Sequence, residues 1–159
     1  MLMLLLCFGI ALADQVGKYA IRTSLPLGAS IPVIDNFFNI THVRNTGAAW
    51  GMLGGFNTWL TLLSIIMLVL LILCRRAFIG GIAMNRWALG CMLGGIVGNM
   101  VDRIRLTFVI DFLDFHLGRY HFPSFNIADT AICVGVGLYM LAVFAKPANS
   151  GDADTAHCN

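Results

Sequence analysis

The sequence predicts an all-α membrane protein with four transmembrane helices and a small extracytoplasmic β-containing element. Three observations carry this. Of 159 residues, 58% are apolar and only 11% are charged, where a soluble domain has about a quarter charged. Four apolar stretches, with cores at Leu2 to Ile21, Trp59 to Cys74, Trp87 to Val101 and Ile127 to Phe144, approach the ~20 residues that cross a hydrocarbon core of ~30 Å. Between them lie two segments in which proline, aromatic and β-branched residues break the helical pattern. Residues 1–147 form one domain, with spans at about 2–21, 57–74, 86–102 and 126–145, extracytoplasmic segments at about 22–56 and 103–125, and a polar tail at 148–159.

Charge placement orients the chain. Arg75, Arg76 and Arg86 fall in the short connection between the second and third spans, and Lys146 follows the fourth. The positive-inside rule makes that connection and both termini cytoplasmic. No basic run suits a nucleic acid. Every acidic residue is Asp, and the five cysteines are scattered without close pairs, so neither a disulfide framework nor a cysteine metal site follows.

The opening M-L-M-L-L-L-C-F-G-I-A-L-A has the apolar core of a secretory signal peptide, with Ala11-Leu12-Ala13 as a cleavage site, but it lacks a basic start and continues through Tyr19, Ala20 and Ile21. Asp14 and Lys18, four apart, share a helix face and can pair near the outer end of a membrane anchor. Spacing alone leaves signal peptide and anchor both open. Pro26 and Pro32 exclude a regular helix from the next segment, and Phe37 to Asn45 reads as β before the turn-like N-T-G. Ala48-Ala49-Trp50 then reads as a short interfacial helix, and Asn39-Ile40-Thr41 fits the glycosylation acceptor pattern.

The second span is Leu, Ile and Met all round, a lipid-facing scaffold. In the third, Gly90, Gly94 and Gly98 recur every four residues and the row continues to Asp102, so a stripe that lets helices approach closely ends at a carboxylate. Asn99, Asp102 and Arg103 project from one side of that helix end. A β-like run, T-F-V-I-D-F-L-D-F-H, puts Asp111 and Asp114 on opposite faces. Asn126 and Asp129 share the first turn of the fourth span, where a capping box would place them for purely structural reasons.

Four of the eight carboxylates, Asp102, Asp111, Asp114 and Asp129, thus gather between Asn99 and Asp129. Acidic groups at a membrane boundary are costly unless paired or used. His116 and His121 near Asp111 and Asp114 raise a metal hydrolase, but no compact ligand motif accompanies them. Ser124 and Cys133 have no base that spacing would indicate. Two aspartates sharing one proton would hydrolyse an amide without a metal: the ionised one takes a proton from water while the protonated one polarises the carbonyl. The residues by themselves do not choose Asp111 over Asp114 as the partner of Asp129. The rival class is a proton-coupled transporter or channel subunit relaying protons through Asp14, Asp102 and Asp129, which would want polar residues at several depths.

The ordered motifs D-Q-x-x-K from Asp14, N-x-G-A-A from Asn45, G-N-x-x-D-R from Gly98, V-x-D-F from Val109 and F-N-x-A-D-x-A from Phe125 resemble those of signal peptidase II, the bacterial lipoprotein signal peptidase family. The resemblance runs from Asp14 to about Val143. It implies a monomeric aspartic endopeptidase of the bacterial inner membrane, without a cofactor, that cuts diacylglyceryl-modified prolipoproteins before the lipidated cysteine. By position it implies Asp111 and Asp129 as the catalytic pair and Asn45, Asn99, Arg103 and Asn126 as substrate-binding groups. Asp14, Lys18 and Asp102 then support the site, within an uncleaved first span, and Asp114 lies outside the catalytic position. Gly17 stands where the family usually has Thr or Ser, Trp50 where it usually has Phe, and the basic residues common ahead of the first span are absent.

Overall fold

In a computed structural model, described for residues 1–47, 55–79 and 83–144, the apolar stretches form helices, of which the first and third overrun the predicted spans and the second and fourth stay within them. Helix α1 is Leu2–Ser24, α2 is Asn57–Leu73 and α4 is Ala83–Leu106, while α5 is Ile127–Phe144. At 1.5 Å per residue the 24 residues of α4 reach about 36 Å. A short α3, Arg75–Ile79, occupies the connection between α2 and α4, where the sequence predicts only a short basic connection. By length and apolar content α1 and α5 suffice to cross a membrane; α2 is apolar but 17 residues long. The interfacial helix expected at 48–50 and the tail at 148–159 lie outside the described residues.

Helix α4 is the hub, packed on α1, α2 and α5. Its glycines explain why. A Cβ at Gly94 would lie 2.8 Å from the Cys7 carbonyl oxygen and 2.9 Å from Ile10 Cβ, and one at Gly90 would lie 3.1 Å from the Met3 carbonyl. Across the helix, a Cβ at Gly135 of α5 would lie 2.8 Å from the Ala88 carbonyl. Ala88, Leu89, Met92 and Leu93 form the buried centre. The close approach that the glycine row predicts is therefore present, and it brings Gly98 against the carboxylate of Asp14. Helix α2 leaves Leu63, Ile66, Leu70 and Leu73 about half exposed or more, as a helix facing lipid would.

The two segments outside the helices join into one antiparallel sheet in the order β1-β2-β3-β4, from Ser30–Ile34, Phe38–Asn45, Val109–Leu117 and Tyr120–His121. Pro32 lies in β1, an edge strand, where the missing N–H is tolerated. Strand β2 pairs with β3 from Phe38 opposite Phe115 to Asn45 opposite Val109, with a register shift between Ile40 and Val43. His42 ties this sheet to the end of α1, its Nδ1 donating to the Leu25 carbonyl at 2.8 Å. Thr107, with φ +67°, turns the chain from α4 into β3.

Candidate active site

Three of these elements converge at one end of α4. Asn126 precedes α5 and caps it: its Oδ1 accepts from the Asp129 backbone N–H at 2.9 Å, and its own N–H donates to Asp129 Oδ2 at 3.3 Å. This is the reciprocal capping box that the spacing allows. The cap does more than end a helix, because the Asn126 Nδ2 donates to Asp111 Oδ1 at 2.7 Å. One residue therefore holds both carboxylates. Asn45, at the end of β2, donates from Nδ2 to Asp111 Oδ2 at 2.9 Å while its Oδ1 accepts from the Gly47 N–H. Asn99 of α4 donates from Nδ2 to Asp129 Oδ1 at 2.7 Å.

Asp111 is 2% exposed, whereas Asp129 is half-buried. Burial, and next the negative charge of Asp129, push the Asp111 carboxyl up to about 7, against the opposing pull of the Asn45 and Asn126 hydrogen bonds. The two acids share a cleft of about 480 Å³ with Asn45, Asn99 and Arg103, walled by apolar residues that include Val109, Phe122, Phe125 and Ile132. Such a cleft, apolar with a few convergent polar groups, suits a ligand that is mostly hydrophobic. Among the described residues the Arg103 guanidinium has no ion pair, so its charge faces the cleft beside the two acids.

Beneath the cleft lies a buried ionic layer. Lys18 pairs with Asp14 at 2.8 Å and with Asp102 at 3.0 Å. Asp14 Oδ1 accepts the Ala128 N–H of α5 at 2.9 Å, and Asp102 Oδ2 accepts the Ile110 N–H of β3 at 3.2 Å. Asp14 and Asp102 thereby anchor the backbone neighbours of Asp129 and Asp111. Gln15 belongs to this layer too, donating to Asp102 Oδ1 at 2.9 Å and to the Gly98 carbonyl at 3.1 Å. Its place inside D-Q-x-x-K is the signal that could have marked it. Cutting after Ala13 would sever this layer from a helix whose Cys7 and Ile10 pack on α4.

Asp114 faces away from the cleft, accepting from Asn39 Nδ2 at 3.0 Å and from His121 Nδ1 at 3.1 Å. Burial would raise its carboxyl, but those hydrogen bonds outweigh it and hold the group below its ordinary value. Asn39, the glycosylation-pattern residue, is thus engaged in the sheet. His116 stacks on His121 at 4.7 Å, yet no group of three His, Cys, Asp or Glu side chains among the described residues could hold a metal. Ser124 and Cys133 line the cleft, and neither has a hydrogen-bonded base among the described residues. Gly17, a departure from the family pattern, sits where a Cβ would lie 3.3 Å from Phe112 Cζ, so the missing side chain makes room for the residue after Asp111. Trp50 lies outside the described residues.

Buried polar side chains cluster at one end: among the described residues none is fully buried in α1 before Asp14, in α4 before Asn99 or in α5 after Asp129, although the Oδ1 of half-buried Asn85 near the start of α4 is shielded. A helical, lipid-suited bundle that collects two acids in one apolar cleft has the form of a membrane hydrolase of the aspartic type. The chain belongs to the signal peptidase II family: the family described as Signal peptidase (SPase) II matches residues 6–145. The lipoprotein signal peptidase of Syntrophotalea carbinolica is 39% identical over 144 residues, covering 89% of this chain and 89% of that protein. That of Syntrophus aciditrophicus is 43% identical over 145 residues, covering 86% and 88%. A bacterial membrane enzyme solved by the in meso method at 2.3 Å resolution superposes with a TM-score of 0.81 at 34% identity, covering 96% of this chain and 93% of that one. The chain is a peptidase, and this membership does not favour the transporter alternative.

Proposed function

We propose that this peptidase hydrolyses signal peptides of diacylglyceryl-modified prolipoproteins just before the lipidated cysteine, with Asp111 and Asp129 as an aspartyl dyad. The observation that carries this is Asn126, which binds both carboxylates from one side chain and its own backbone at the edge of an apolar cleft. In the reaction, water adds to the scissile carbonyl carbon as one of its protons passes to ionised Asp129, and the carbonyl oxygen takes the proton of Asp111. Asp129 then gives its proton to the amide nitrogen while Asp111 recovers one from the diol, the C–N bond breaks, and the dyad returns to its starting state. No metal or covalent intermediate is needed. Asn45, Asn99 and Arg103, which line the cleft, bind the substrate backbone, the Arg103 charge offsetting the negative charge of the dyad, whereas Asn126, expected as a further substrate-binding group, is fully buried and orients the two acids instead.

The protein acts as a monomer of the bacterial inner membrane, with four spans formed by α1, α2, α4 and α5. Both termini are cytoplasmic and the cleft opens outward, where the acyl chains of a substrate partition into lipid and its signal peptide is already a membrane helix. Incubating purified protein with a diacylglyceryl-modified prolipoprotein peptide, with and without a chelator, tests this by mass spectrometry of the products. A single cut before the lipidated cysteine, unchanged by chelation, is expected. An uncut lipidated peptide, or cleavage that the chelator stops, would overturn the proposal.

A further inference from the structure

The buried Lys18 does something for the chemistry that an ion-pair role leaves unexplained. Its ammonium can only donate, and besides pairing with Asp14 and Asp102 it reaches Asn99 Oδ1 at 2.9 Å. An asparagine amide has one accepting and one donating end, so a donor on Oδ1 dictates which end faces the other way. Asn126 Nδ2 reinforces this from a second side, at 3.1 Å to the same oxygen. The donating end of Asn99 is thereby turned to Asp129 Oδ1, 2.7 Å away. Flipped, the amide would set its oxygen against a carboxylate oxygen and face the ammonium with its own N–H groups, two repulsive contacts in a buried place.

We infer that Lys18 is a positioning residue which, by holding Asn99 in this orientation, keeps a donated hydrogen bond on Asp129 and so favours Asp129 as the member of the dyad that accepts the proton of water. The inference rests on the aspartyl reading above and adds to it a reason for the division of labour. Asp129 is half-buried and receives a donated hydrogen bond whose direction is locked. Asp111 lies deeper, at 2% exposure, and its hydrogen bonds come from Asn45 and Asn126, whose amide oxygens accept from the Gly47 and Asp129 backbone N–H groups rather than from an ammonium. Burial and the negative charge of Asp129 raise the Asp111 carboxyl, with the Lys18 charge pulling the other way. Lys18 does not line the cleft; Asn99 is its hydrogen-bonded link to Asp129, beside the charge it exerts on Asp111 and the backbone that Asp14 and Asp102 hold.

Removing Lys18 alone would strand two buried carboxylates and put folding at risk. The variant of choice is therefore Asp14→Asn with Lys18→Met. Lys18, Asp14 and Asp102 together carry a net charge of −1, and in the double variant Asp102 alone carries −1. What is lost is the donation to Asn99. With wild type as the reference of equal charge and Asp14→Asn as the control for the lost carboxylate, the double variant is expected to fold, to keep KM within about threefold, to lose kcat by about 10²-fold, and to move the acidic limb of its kcat/KM profile to higher pH. Adding Asn99→Ala to it should cost nothing further beyond Asn99→Ala in the Asp14→Asn background, because both changes remove the same locked donor. An unmoved pH profile, or losses that multiply, would overturn the inference. If the double variant does not fold, Lys18→Arg takes its place: a cation that keeps the donation should retain the wild-type profile, and a shifted profile in that folded variant would count against the inference. Turnover surviving in Asp111→Asn or Asp129→Asn would instead defeat the aspartyl reading itself.

Discussion

Raising the pH should silence this enzyme from one identifiable proton. Asp111 is 2% exposed and sits beside Asp129, which brings its carboxyl to about 7. The protonated form is needed to polarise the substrate carbonyl, so activity belongs to the acid side of that value and falls as pH rises through it. Roughly one tenth of the molecules keep the proton at pH 8 and roughly one hundredth at pH 9. The expected profile of kcat/KM, measured on a lipidated peptide in detergent micelles, declines with a slope of −1 above about pH 7, the limb belonging to the coupled pair. The same proton bears on stability. A carboxyl raised in the folded state from its ordinary 3.8 favours folding most at low pH, and that contribution is lost as pH climbs from about 4 to about 7. Three pH units correspond to roughly 4 kcal/mol, so the thermal midpoint should fall over this window in wild type and far less in Asp111→Asn. A rate constant flat between pH 7 and 9, with equal midpoint shifts in both proteins, would refute the reasoning.

Other perturbations separate scaffold from site. Gly94→Val would drive side-chain carbon into the Cys7 carbonyl and Ile10; overpacking of about 1–3 kcal/mol should lower the thermal midpoint, while Gly9→Ala, with open space around it, should not. Asp114→Asn removes a carboxylate that faces Asn39 and His121 and does not line the cleft. Turnover should stay within a few-fold of wild type as stability drops by about 1 kcal/mol in a denaturant or thermal scan. Thr107→Gly relieves a β-branched residue held at φ +67° and should raise the thermal midpoint, equivalent to about 0.5–1 kcal/mol.

What was legible in the chain was local. The i, i+4 spacing of Asp14 and Lys18 foretells their ion pair, the glycine row foretells the tight contact of α1 with α4, and Asn126 with Asp129 reads as a cap before it reads as a site. Alternation alone left Asp111 and Asp114 equal. The sheet distinguishes them, because Asp111 reaches the Asn126 cap while Asp114 meets β4 through His121. Pairing of β2 with β3 is not legible in the chain: the two strands are separated by three helices, and the register shift between Ile40 and Val43 leaves no periodic trace. The role of Gln15 is hidden for a related reason. Its partners, Asp102 and the Gly98 carbonyl, are more than 80 positions away, and a neutral side chain among apolar residues does not announce a long-range contact.

The central claim is that two aspartates from separate elements act on one peptide bond. Turnover of a diacylglyceryl-modified prolipoprotein peptide by purified Asp111→Asn and Asp129→Asn, each confirmed as folded by its thermal midpoint, tests it most directly. Losing a general acid or base costs about 10²–10⁴-fold, so each substitution should abolish measurable cleavage while leaving a folded protein. Cleavage by either variant within tenfold of wild type would contradict the account.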